Sequence, residues 1–180
     1  PVIYSIGPGA VSICAADFNG DDFLDLAVAN RDSDYVSVLE NIGNGTFLSP
    51  ANYDAGDYLI SMCAADLDGD NDIDLAASDI WGTISLIINA GGGVFDPATE
   101  VTAEAIARSL TATDVDGDGD NDLVAYGQPL YSLINEYAQV LYNSGDASFA
   151  SRTLYGVGDH PASLCSADFD DDGYTDLAVA

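Results

Sequence analysis

Residues Asp66–Leu75 read DLDGDNDIDL, with aspartates at the first, third, fifth and ninth positions and a glycine at the fourth. Three other segments align with this one without a gap: Asp17–Leu26 (DFNGDDFLDL), Asp114–Leu123 (DVDGDGDNDL) and Asp168–Leu177 (DFDDDGYTDL). Their starts lie 49, 48 and 54 residues apart. A recurring period of this size marks a chain built from one repeated supersecondary unit, and it falls in the range of propeller blades.

The flanks repeat in step with the loops. A run of small and apolar residues precedes each loop: VSICAAD, ISMCAAD, RSLTATD and ASLCSAD. A second run follows it: DLAVA, DLAAS, DLVAY and DLAVA. In the three complete repeats a third run is expected over 36–41, 84–89 and 140–143. Gly/Asn turns then lead to a phenylalanine and a fourth strand: NIGNGTF (41–47), NAGGGVF (89–95) and NSGDASF (143–149). Such turns suit residues with positive φ. Four short strands per repeat, without helical periodicity, predict an all-β fold. Radial packing of four-stranded sheets answers the edge-strand problem, which predicts a β-propeller. The expected blades are 1–6 (an outer strand only), 7–55, 56–103, 104–156 and 157–180 (partial), all within a single segment, 1–180. About six extra residues within 126–139 predict a longer hairpin in the third blade. A ring needs more blades than this, so the chain is expected to be part of a longer protein, to complete its ring with a second copy, or to form an open array.

In a tightly curled loop, alternate residues point inward, so the side chains at positions 1, 3 and 5 converge. Position 7 can add its backbone carbonyl, and the position-9 aspartate closes the cage from the next strand. The predicted metal ligands are Asp17, Asn19, Asp21, Phe23 and Asp25; Asp66, Asp68, Asp70, Asp72 and Asp74; Asp114, Asp116, Asp118, Asp120 and Asp122; and Asp168, Asp170, Asp172, Tyr174 and Asp176. Phe23, Asp72, Asp120 and Tyr174 would ligate through their carbonyls. Six or seven oxygen donors suit Ca²⁺ better than Mg²⁺, and all-oxygen ligation disfavours zinc and copper. Up to four Ca²⁺ per chain are expected. Two carboxylates ~4 Å apart repel by about 4 kcal/mol at a near-surface dielectric, so a cation should stabilise each loop. An EF-hand or dockerin is excluded, because position 12 is Val28, Ala77, Ala125 or Val179 instead of glutamate and no flanking helix is predicted. The alternative reading, solvated Asp/Gly turns, does not account for four loops in identical phase.

Composition sets further bounds. Thirty-one acidic residues face three basic ones, for a formal charge of −28 in 180 residues. That charge argues against nucleic acid and against anionic membranes. No apolar run approaches the ~20 residues of a membrane span. Cys14, Cys63 and Cys165 occupy equivalent positions in the first, second and fourth repeats, where the third has Thr111; positions in successive blades lie at or beyond disulfide reach, and the cysteines are expected as small buried hydrophobes.

The motif D-x-[DN]-G-D-x-x-x-D-L, followed by N-x-G-x-G-x-F, resembles FG-GAP/VCBS-type repeats over essentially the whole chain. The resemblance implies a β-propeller of the integrin-α-like superfamily with Ca²⁺ between the first two strands of each blade. No Phe-Gly…Gly-Ala-Pro segment is present, so ligand preference does not carry over from integrins. The resemblance is nearer to large secreted and surface proteins, some of whose relatives are lectins.

The function expected from these features is non-enzymatic: an extracellular module, secreted or on the cell surface, for adhesion to or recognition of a protein or glycan. Two alternatives are a non-catalytic or catalytic part of a secreted polysaccharide-degrading enzyme and a structural assembly unit that self-associates to complete the ring. His160, the only histidine, precedes Pro161 and has no nucleophile motif beside it. Candidate ligand-binding residues are Trp81, at an expected hairpin tip, and Tyr126, Tyr131 and Tyr137, in or near the longer hairpin. For Trp81 the competing reading is packing against the neighbouring blade.

Overall fold

A computed structural model describes residues 2–103, 105–129, 136–158 and 161–180. The first sheet comprises β1 (Ala10–Ala16), β2 (Asp25–Asn30), β3 (Tyr35–Leu39) and β4 (Ala51–Asp54). The second comprises β5 (Leu59–Ala65), β6 (Asp74–Asp79), β7 (Thr83–Ile87) and β8 (Thr99–Thr102). The third comprises β9 (Ala105–Thr113), β10 (Asp122–Pro129), β11 (Tyr137–Tyr142) and β12 (Ser151–Gly156), and β13 (Leu164–Ala167) pairs with β14 (Asp176–Val179). Every sheet is an antiparallel meander in chain order. The fold is therefore all-β and built of four-stranded blades, as expected. The third strands begin and end one to three residues earlier than expected. Residues 2–6, expected as an outer strand, form no strand; instead the Tyr4 ring meets Phe47 edge-on, at 5.5 Å.

The first strands pack side by side, β1 on β5, β5 on β9 and β9 on β13, which gives the array its radial character. Small residues permit this approach. Each complete first strand also bulges at the same point. Ser12 pairs with Ala29 and Ala10 with Asn30, so Val11 is skipped; Ile60 and Arg108 are skipped in the same way. At the bulge beside Arg108, Gly127 pairs with Ala107, and an added Cβ there would sit 1.6 Å from the Ile106 carbonyl oxygen, so only glycine fits.

The core lies between sheets. Phe18, Val36, Val38, Leu59, Leu75 and Phe95 fill the space between the first and second. Leu67, Ile84, Leu86, Leu110, Leu123 and Leu141 fill the next, and Val124, Tyr126, Val140 and Leu164 the third. Along β10, Leu123 and Ala125 face one neighbour while Val124 and Tyr126 face the other. Period-2 alternation with both faces buried explains why the second strands read as almost continuous apolar runs.

The core placement corrects the expectation for Tyr126, which is 5% exposed and packed within β10 instead of standing on a loop. Tyr137 opens β11, paired with Gly127 and Gly156, and is partly buried. Tyr131 and His160 lie outside the described residues. The three cysteines are free. Cys14 and Cys63 are partly buried, and burial pushes the Cys14 thiol up to about 11 and raises Cys63 as well, whereas Cys165 is exposed, contrary to expectation.

Candidate metal centres and their anchors

Each acidic loop joins the first and second strands of a sheet and curls the same way. The position-1 carboxylate accepts the amides of positions 4 and 6 in three loops. Asp66 takes Gly69 at 2.8 Å and Asn71 at 3.0 Å; Asp114 takes Gly117 and Gly119; Asp17 takes Gly20 and Asp22. In the fourth loop, Asp168 takes Asp172 and Gly173. The position-5 carboxylate accepts the position-7 amide: Phe23 on Asp21, Asp72 on Asp70, Asp120 on Asp118 and Tyr174 on Asp172, at 2.8–3.0 Å. Positions 4 and 6 are both left-handed, so the turn needs two special residues where only position 4 was expected. Asp171 stands in for the position-4 glycine at φ 61°, and Asp22 and Asn71 take position 6 at 68° and 73°.

Three loops bring three carboxylates together, with one oxygen of each within 4.8 Å of the others: Asp66, Asp68 and Asp70; Asp114, Asp116 and Asp122; and Asp168, Asp170 and Asp176. Of the four expected carboxylates, Asp74 stands outside the trio in the second loop, Asp118 in the third and Asp172 in the fourth. In the first loop Asn19 replaces a carboxylate and donates its Nδ2 to Asp21 at 3.3 Å. The donors are all oxygen. Hard oxygen donors gathered this closely are the chemistry that Ca²⁺ takes, so the donor set suits that ion.

The position-9 aspartate does more than close a cage. Asp25, Asp74 and Asp122 are fully buried. One oxygen accepts the amide of loop position 2 and the other accepts the amide of an asparagine after the third strand. Asp74 receives Leu67 at 2.8 Å and Asn89 at 2.7 Å; Asp122 receives Val115 and Asn143; Asp25 receives Phe18 and Asn41. Burial raises the Asp74 carboxyl to about 6; the Asn89 and Leu67 amides oppose the rise, and the nearby charges of Asp68 and Asp70 add to it. Asp122 is raised for the same reasons, and Asp68 by burial and by its neighbours Asp70 and Asp66.

The sequence reading missed the asparagines. Asn89 Nδ2 donates to Ile73 O of its own loop and to Phe18 O of the preceding sheet's loop, and its Oδ1 accepts the Gly91 amide. Asn143 does the same with Asn121 O, Leu67 O and Gly145. Their signal was available: an asparagine opens the N-x-G turn in every complete repeat. The position-2 side chains, Phe18 and Leu67, plug into the next sheet, each about 1% exposed.

Trp81 lies in the turn after β6 and is 60% exposed.

The FG-GAP-like repeat model matches residues 17–77 and 66–125, and the FG-GAP repeat model matches 160–180. A search of curated proteins finds no match. Among solved structures, a lectin of Agrocybe aegerita, described as specifically recognising non-reducing terminal N-acetylglucosamine, aligns with a TM-score of 0.63 at 24% identity over 91% of this chain. That alignment spans 44% of the lectin, so this chain matches less than half of its length, and the likeness bears on fold alone. The matched ranges take in all four acidic loops and more than half of the chain, and the chain belongs to the FG-GAP-like repeat family.

Proposed function

We propose that this chain is a non-enzymatic recognition module that holds Ca²⁺ in its acidic loops and works outside the cell on a glycan or protein ligand. The observation that carries the reading is the recurrence of three convergent carboxylates at the same place in three successive loops. The side chains at positions 1, 3, 5 and 9 would supply the charged or amide oxygens, with the carbonyls of Phe23, Asp72, Asp120 and Tyr174 beside them. A bound cation would supply charge neutralisation to loops that otherwise concentrate like charges. The chain's own part is to hold those oxygens in place through backbone amides and to tie each loop to the next sheet through Asn89 and Asn143.

Extracellular modules hold Ca²⁺ with dissociation constants of ~10⁻⁴–10⁻³ M, where the ion is plentiful, and a strongly acidic chain fits that setting. A glycan is one ligand class to test, since a solved lectin shares this fold. The test is thermal unfolding in Ca²⁺, in Mg²⁺ and in EGTA, with metal content by mass spectrometry, followed by a glycan screen with product analysis. A melting temperature lowered by EGTA and restored by Ca²⁺ but not by equal Mg²⁺, with up to four ions per chain, is the expected result. An unchanged melting curve without bound metal overturns the calcium reading, and turnover of any polymer overturns the non-enzymatic one.

A further inference from the structure

Away from the acidic loops, a cleft of about 710 Å³ opens between the first and second sheets. Three consecutive residues of β4, Asn52, Tyr53 and Asp54, form part of its lining. β4 is the outer strand of its sheet and, among the described residues, pairs only with β3, so its other edge offers backbone donors and acceptors. Trp81 lines the cleft too. Its backbone amide is held by Asp79 at 2.7 Å, and its ring meets Tyr58 edge-on, 6.4 Å between centroids at 89°. Asp54, Asp57, Asp79, Asp96 and Glu100 also line the cleft, and no basic residue does. None of these five belongs to a D-x-D loop.

Three features coincide here: an unpartnered strand edge, an exposed indole in a fixed turn, and a one-signed ring of charge. The strand edge suits an extended main chain, which adds to a sheet by backbone pairing. The indole face and the carboxylates suit a cation, which gains from the ring quadrupole and from charge complementarity together. A neutral sugar could stack on Trp81, but it would leave five carboxylates without counter-charge. We infer that the cleft takes an extended basic segment of another polypeptide, its main chain along β4 and a lysine or arginine side chain against Trp81. This deepens the recognition-module reading by naming the ligand's chemistry, and it does not depend on the metal loops.

Trp81 is the only tryptophan, so fluorescence under tryptophan-selective excitation reports on this cleft. The experiment titrates the chain, held in constant Ca²⁺, with an end-blocked octapeptide of alternating lysine and threonine. A glutamine/threonine peptide and an N-acetylglucosamine oligomer serve as comparisons. The expected result is a saturable fluorescence change with the basic peptide only, with affinity falling as salt rises. By calorimetry, Trp81→Ala should weaken binding about fivefold, and the Asp57→Asn/Glu100→Gln double variant by a similar factor. Binding unchanged in both variants would mean diffuse attraction to an acidic surface and overturns the proposal. So does a fluorescence response to the sugar but not to the basic peptide. Repeating the titration in EGTA separates failure of the calcium reading, seen in the melting curve, from failure of this one.

Discussion

The Asn89 side chain donates a hydrogen bond to the backbone carbonyl of Phe18, 71 residues earlier and in the preceding sheet, at 2.8 Å. Asn143 repeats the contact with Leu67 at 2.7 Å across the next boundary. Each asparagine thereby fastens an acidic loop to the hairpin of the following sheet. The metal candidates and the packing of the blades are thus one connected structure.

Asn89→Ala should destabilise the chain by about 2–3 kcal/mol, because it strands the buried Phe18 carbonyl and the Gly91 amide. Asn41, whose Nδ2 bonds Leu24 O within its own sheet, should cost about 1 kcal/mol in the same substitution. Urea midpoints of the two variants against the parent check the ordering. Equal midpoints for the two would contradict a clamp between sheets.

Position 9 and position 3 of a loop should separate structure from metal binding. Asp74→Ala leaves the Leu67 and Asn89 amides without an acceptor and should cost about 2–4 kcal/mol even in EGTA. Asp68→Asn keeps the shape of the loop and should leave stability in EGTA nearly unchanged while weakening Ca²⁺ binding. Paired denaturation and calcium titration of both variants provide the comparison. A large loss of stability for Asp68→Asn in EGTA would assign position 3 a structural role as well.

The metal-free protein should be more stable in mild acid. The buried Asp74 carboxyl titrates near 6 when folded, against about 3.9 in an unfolded chain. A raised folded value means that the native state binds the proton more readily. The stabilisation from protonation is complete below the unfolded value and is lost as pH rises through about 6. Asp68 and Asp122 act in the same direction, while Asp17, which burial raises but four loop amides together lower, acts against them. In EGTA the melting temperature should be higher at pH 5.5 than at pH 7.5. With Ca²⁺ the order should reverse, since protons compete with the ion for the carboxylates. Scanning calorimetry at both pH values, with and without the ion, reads all four states.

Phe18→Ala should cost about 3–5 kcal/mol, because the ring is 1% exposed and meets Phe95 edge-on at 5.7 Å. The equivalent Phe169 is 57% exposed in this chain, so Phe169→Ala should fall within about 0.5 kcal/mol of the parent. Chemical denaturation of both compares identical chemistry in two environments. Similar losses would mean that the position-2 side chain acts within its own loop instead of plugging into the next sheet.

The repeat, the strand count and the phase of the acidic loops were legible in the residues themselves, because each rests on local physics. Alternation sets which residues face the core, and Gly/Asn turns set where a strand reverses. Two-residue spacing sets which carboxylates of a curled loop converge, and Asp66, Asp68 and Asp70 converge as that spacing requires. What stayed hidden depends on which sheet lies against which. Asn89 looks like an ordinary turn residue until the Phe18 carbonyl arrives beside it. Nothing local shows that Asp74 also anchors two backbone amides, and Tyr126 looks like the end of a strand beside a loop until β10 runs on past it into the core. The acidic cleft beside Trp81 likewise draws its walls from two sheets. The two asparagine clamps join residues 71 and 76 positions apart. No local periodicity encodes them, so only the packed structure could decide them.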